Sequence, residues 1–127
     1  MKYMLTLWND ETRWEGLAPE EAAAWMAEYA RFGEEAGDVI VGGDGLEPTS
    51  TATTVRVRDG ERLLTDGPFA ETREQLGGFY ILECASLDEA LGWAAKVPDA
   101  GTGSVEVRPV LDYSKFESEA SESSAKT

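Results

Sequence analysis

The run Leu76–Cys84 (LGGFYILEC) most constrains what this chain can fold into. Read as a strand, it sets Phe79 and Ile81 on one face and Tyr80 and Leu82 on the other. Both faces therefore carry large apolar side chains and both want burial, which places the segment at the centre of a sheet. Gly77 and Gly78 at its start fit a bulge or a close approach of backbones.

The remaining segments supply the layers around that strand. Lys2–Trp8 alternates as a first strand, with Tyr3, Leu5 and Leu7 on one face and Met4, Thr6 and Trp8 on the other. Asn9–Gly16 is polar and reads as a loop. Pro19 suits the first turn of a helix, and Glu20 and Glu21 complement its positive end. Ala22, Trp25, Met26, Tyr29, Phe32 and Ala36 recur at helical spacing, so that stripe, aromatics included, is expected in the core. Gly37 ends the helix. Asp38–Val41 reads as a short strand running into a turn-rich junction, Gly42-Gly43-Asp44-Gly45. Thr53–Arg58 and Glu61–Thr65 flank Asp59-Gly60, a hairpin signal. Ser86 and Glu89 form a capping box for a second helix, with Leu87, Ala90, Leu91, Ala94 and Val97 as its buried stripe and Pro98 as its stop. Ser104–Leu111 alternates as a last strand, Val105 and Val107 inward, with Pro109 marking an edge or strand end.

With the hairpin set aside, the order is strand, helix, strand, strand, helix, strand. That order predicts an α+β, ferredoxin-like (split βαβ) domain with an inserted β-hairpin. One domain spans residues 1–112, and 113–127 is expected to be a disordered Ser/Glu-rich tail, with Phe116 its single large apolar residue.

Charge and composition then exclude function classes. The net charge is −14, and the tail, with three Glu and two Lys, carries only −1 of it, so residues 1–112 hold −13. A surface of that sign repels phosphate backbones, so no nucleic-acid partner is expected. There is no histidine, which removes the usual base of Ser-His-Asp and Cys-His catalysis and the usual ligands of zinc and haem. No cofactor and no metal are expected. The N-terminal apolar run, Tyr3–Trp8, is six residues long, too short for a signal-peptide core or a membrane span. A single cysteine, Cys84, forms no internal disulfide, reads as a buried small hydrophobe and fits a reducing, cytoplasmic setting.

Candidate chemistry falls on two loops. In Asp66-Gly67-Pro68-Phe69, the Asp accepts from backbone N–H groups, Gly permits positive φ, Pro fixes the bend, and Phe69 anchors the loop by burying its ring. The functional reading sets Asp66, the best catalytic candidate, and Glu71 at a cleft as acid, base or polar contact. Turn chemistry explains the same residues and outweighs it. Asp44 and Glu47 sit in the other Gly-rich junction, where acidic loops are ordinary in so acidic a chain. Gly42–Gly45 lacks both the GxGxxG spacing and a Walker lysine, so it is no nucleotide loop. Arg56, Arg58 and Arg62 read as ion-pairing residues on a solvent face.

The string from Asp66 to Thr72 (DGPFAET), followed by Glu74–Tyr80 (EQLGGFY), resembles the YCII-related family in its DGPF branch. Gly43–Pro48 (GDGLEP), Ala52–Arg56 (ATTVR) and Val105–Leu111 (VEVRPVL) agree with it in order across residues 1–112. The resemblance implies a ferredoxin-like fold that dimerises into a pseudo-barrel, a dimeric α+β barrel, with a cleft between sheet and loops. Members of this branch are often encoded beside extracytoplasmic-function sigma factors, which implies a regulatory or accessory role. Other members of the wider family carry a His-Asp pair in the cleft, and one dehalogenates its substrate. No His is present here to match that pair, so only the scaffold carries over. Two functional readings follow. The first is a non-enzymatic accessory or sensor domain, a homodimer binding a small molecule or a sigma factor. The second is a cofactor-free enzyme using a cleft carboxylate or tyrosine. The missing His and the lack of a paired nucleophile and base favour the first.

Overall fold

The computed structural model describes residues 1–116. In chain order its elements are β1 (Lys2–Asn9), α1 (Pro19–Ala36), β2 (Ile40–Gly45), β3 (Thr53–Arg58), β4 (Glu61–Asp66), β5 (Gln75–Glu83), α2 (Leu87–Ala94), α3 (Asp99–Thr102) and β6 (Ser104–Pro109). Short 3-10 turns occupy Glu11–Trp14, Gly37–Val39 and Thr49–Thr51.

Four strands make one sheet in the order β2-β5-β1-β6, every neighbouring pair antiparallel. The two central strands are β1 and β5, and this is the strand order of a split βαβ unit. Alternation along β1 buries Tyr3, Leu5 and Leu7 on one face, and Asn9 continues the same register. Leu7 stands opposite Gly78 while Trp8 stands opposite Leu76, so Gly77 bulges out of the ladder. On the covered face, Leu5, Leu82, Phe32 and Val97 are fully buried. The Phe32 ring lies 5.0 Å from Tyr80 and 6.4 Å from Trp93. Glu21 accepts from the Ala18 N–H at 3.4 Å at the start of α1. Ser86 caps α2 by accepting from the Glu89 N–H at 3.2 Å, while the Glu89 carboxylate accepts from the N–H of Ala85, one residue before the cap, at 2.9 Å.

Three expectations are corrected. The stripe of α1 is buried only at Phe32 and Ala36; Trp25 and Tyr29 are half-buried and Met26 is exposed, because this part of the helix borders a cleft rather than packed sheet. In α2 the alanines face the sheet, with Ala90 and Ala94 buried, which leaves Leu87 and Leu91 exposed. The glycine-rich junction is not a turn but the body of β2, running to Gly45 against β5. A Cβ on Gly43 would lie 2.5 Å from the Phe79 carbonyl oxygen, and Gly43 holds φ at 144°. Glycine is there because no other side chain fits between the two backbones.

The β3–β4 pair forms a separate two-stranded sheet, closed by Asp59 and Gly60 at φ 52° and 77°. Positive φ at both positions matches the right-handed twist of the flanking strands. Both strands are exposed apart from half-buried Thr54, and the exposed residues include Val55, Val57 and Leu64. At the other end of the described chain, Tyr113–Phe116 make a helical turn, where Asp112 accepts from the Ser114 N–H at 3.0 Å. Phe116 is exposed, and the rest of the expected tail, 117–127, lies outside the described residues. Among the described residues no helix is long and apolar enough to cross a membrane.

Gly43→Ala is expected to destabilise the protein by about 3 kcal/mol, combining overpacking with strained φ. A Cβ on Gly45 meets nothing within 4 Å. Gly45→Ala should therefore stay within about 0.5 kcal/mol of the parent in urea denaturation.

Candidate functional site: an aromatic cleft over a buried carboxyl group

The open stretch beside α1 is a cleft of about 640 Å³. Trp14, Trp25 and Tyr29 line one part of it, and Leu76, Phe79 and Tyr80 of β5 another. The Trp14 and Trp25 rings are 4.3 Å apart, and Tyr29 meets Trp25 edge-on at 5.2 Å. These are amphipathic rings held by one another, a rigid apolar wall.

At the polar end lies Asp99, the first residue of α3, 4% exposed. Tyr29 donates its hydroxyl to Oδ1 of Asp99. Asn9 donates from Nδ2 to Oδ2 of Asp99 at 3.2 Å and to Oγ1 of Thr102 at 2.7 Å. Both carboxyl oxygens thus act as acceptors, as those of a carboxylate do. The remaining atom of this cluster, Oδ1 of Asn9, is buried and has no hydrogen-bond partner among the described residues. Tyr29 is raised far above the ordinary tyrosine value, first by burial and then by its bond to Asp99 and that group's charge. Tyr80 is raised as well, again by burial first and then by the charge on Asp99. Both phenols stay protonated at neutral pH.

The candidate residues divide between this cleft and the outside of the molecule. Asp44 and Glu47 line the cleft, at the end of β2 and just beyond it. Glu11 joins them there and is fixed by the Thr49 backbone N–H at 3.0 Å and by the Thr49 hydroxyl. Asp66 ends β4, and Gly67, Pro68, Phe69 and Glu71 follow it in a loop outside the cleft lining. In that loop Gly67 holds φ at 98°, donates to the Ala52 carbonyl at 2.7 Å and accepts from the Thr54 hydroxyl at 2.8 Å. The anchoring role expected of Phe69 is corrected, since its ring is 80% exposed. The Asp66 carboxyl takes no backbone N–H bond among the described residues, and the loop is tied down by Gly67 instead. Cys84 is buried, and burial, followed by nearby Glu89, pushes its thiol up, which makes it a poor nucleophile. The described residues contain no group of three acidic or thiol ligands placed to hold a metal ion.

Sequence reasoning missed Asn9, Asp99 and Trp14. Asn9 did leave a signal: positions 3, 5, 7 and 9 share one face, so a polar residue falls on the buried side of β1.

Residues 1–114 match the YCII-related domain. The chain belongs to the YCII-related family. An uncharacterised protein of Rhizobium meliloti (strain 1021) is 43% identical over 122 residues, which cover 89% of this chain and 94% of that protein. Among solved structures, 5-chloro-2-hydroxyhydroquinone dehydrochlorinase from Burkholderia phenoliruptrix AC1100, in complex with 2,5-dihydroxybenzoquinone, aligns over 87% of this chain and 94% of its own. Its sequence identity is 15% and its TM-score 0.45.

Two outcomes follow for this YCII-related domain. Asp66→Asn and Phe69→Ala should each stay within about 0.5 kcal/mol of the parent in urea denaturation, as exposed positions do. Tyr29→Phe should cost about 1–3 kcal/mol, because it leaves Asp99 short of a donor. In the parent, the raised Tyr29 contributes stability that is whole below the unfolded tyrosine value of about 10 and is lost as pH rises toward the folded value. Denaturation midpoints measured upward from about pH 9 should fall less steeply in Tyr29→Phe.

Proposed function

We propose that this YCII-related protein is a small-molecule-binding accessory or sensor domain of the DGPF branch that works as a homodimer. The observation that carries the reading is the buried Asp99 at the polar end of an aromatic cleft of about 640 Å³. That volume and composition, mostly apolar walls with a few fixed polar groups, are those of ligand pockets. The branch assignment rests on Asp66–Phe69 and its flanking strings. A regulatory partner, such as the sigma factor that the resemblance implies, would read the bound state.

The Asp99–Tyr29 contact favours the second reading, a cofactor-free enzyme using cleft carboxylate and phenol. It stands behind the first because the phenol is pushed away from any neutral operating range and the carboxyl group already accepts from two donors. The phenol, held protonated, is not poised to act as a base.

The dimer is argued from the sheet. On the face turned away from the helices, Met4 stands opposite Ile81 and Thr6 opposite Phe79, with Trp8 beside them. None of them belongs to the buried core. Two such faces packed together would form the barrel-type dimer and cover the apolar surface of both.

The test is a small-molecule library read by tryptophan emission and melting temperature, since Trp14 and Trp25 report directly on the cleft. A saturable ligand, one per chain, is expected, and Trp25→Ala should abolish its effect. Light scattering should give twice the chain mass of 13.8 kDa, and Ile81→Lys should return it to the single value. Ligands indifferent to Trp25→Ala would sink the cleft reading, and a monomeric parent would sink the dimer.

A further inference from the structure

We propose that the ligand of this cleft is an organic cation, a protonated amine carried on an aromatic or alkyl body; the inference rests on the cleft being a binding site. Its ground is a charge without a partner. Buried carboxylates are ordinarily neutralised by a basic side chain, because removing a charge from water is expensive. Asp99, 4% exposed, has only a phenol and an amide as side-chain donors among the described residues. Among the described residues the ion pairs are Met1 with Glu83 and Lys96 with Glu35, both on the surface. No lysine or arginine among the described residues lines the cleft, whereas Glu11, Asp44 and Glu47 do, along with Asp99.

Three features make the occupant an amine rather than a bare ion. The acidic residues do not converge, and no three of them are placed around a metal-sized point. The walls are indole and phenol rings, whose faces attract cations and pack on organic bodies. Asn9 lines the cleft and is hydrogen-bonded to Asp99, and its Oδ1 is buried with no partner among the described residues, an acceptor that an ammonium N–H would satisfy beside the carboxylate. A quaternary ammonium would satisfy the rings and the charge but not Asn9. The acidic surface, at net −14, would also draw a cation toward the cleft.

The experiment titrates the full chain by calorimetry with four probes of similar size: 2-phenylethylamine, its trimethylammonium counterpart, 2-phenylethanol and 3-phenylpropionate. The amine is expected to bind at least ten-fold more tightly than the alcohol, the trimethylammonium to fall between them, and the carboxylate not to saturate. Asp99→Asn should weaken the amine ten-fold or more while leaving the alcohol within about three-fold, which also shows that the variant is folded. Glu47→Gln, at an exposed position with no packing role, should weaken the amine about two- to three-fold. An alcohol or carboxylate that binds as tightly as the amine overturns the cation inference and leaves the cleft reading standing. An amine affinity unchanged in Asp99→Asn also overturns the inference. A panel in which no probe saturates removes both.

Discussion

The antiparallel pairing of β1 with β5 is the constraint on which the rest depends. It joins the first element to a segment 66 to 81 residues later, from Lys2 opposite Glu83 to Asn9 opposite Gln75. Closing so long a loop is entropically expensive, and the return comes from burying Tyr3 opposite Leu82, and Leu5 opposite Tyr80, in one core with Phe32. Once the pair exists, β2 and β6 can only add at its edges, and both helices must cross the same face. The cleft is a consequence of that arrangement. Where β1 ends at Asn9, the sheet stops and α1 continues alongside, so a gap lies between helix, sheet end and the loop after β2.

How much of this was legible depends on how local its cause is. The alternation of Tyr3, Leu5 and Leu7, the two-faced apolar run of β5 and the Ser86–Glu89 cap are local patterns, and the fold class follows from their order. The extent of β2 was not legible. Glycines 42, 43 and 45 look like turn residues in isolation, and only the approach of the Phe79 carbonyl explains why a strand needs them. The α1 stripe misled for a related reason. Helical spacing shows which residues share a face but not what lies opposite, and opposite Trp25 and Tyr29 lies the cleft. Asp99 was hidden because α3 is a single turn with no periodic signal, and its partner Asn9 is ninety residues away.

The candidate residues that stand out in the sequence and those that build the cleft therefore overlap only at Asp44 and Glu47. Asp66–Phe69 draws attention because its residue types are unusual together, yet its work is that of a hairpin exit, held by Gly67 and Thr54. The cleft residues look like core. Trp25 and Tyr29 belong to an amphipathic helix, and Asn9 ends an alternating strand. A site built from the margin of a core inherits the pattern of the core, so periodicity conceals it, and only its polar exceptions can reveal it.

The missing histidine acquires a physical meaning in this setting. A titrating imidazole next to Asp99 would carry its own positive charge and neutralise the carboxylate from within the protein. With Tyr29 and Asn9 in its place, the carboxylate is hydrogen-bonded but not neutralised, since neither donor brings charge. Tyr29 and Tyr80 are raised by burial first, and the charge on Asp99 adds to both. A basic residue substituted within its reach would relieve the phenols but fill the position that a charged ligand would take. On the amine proposal, the geometry would trade some stability of the empty protein for discrimination by charge, which is the balance expected where binding, rather than packing, decides what a buried residue must be.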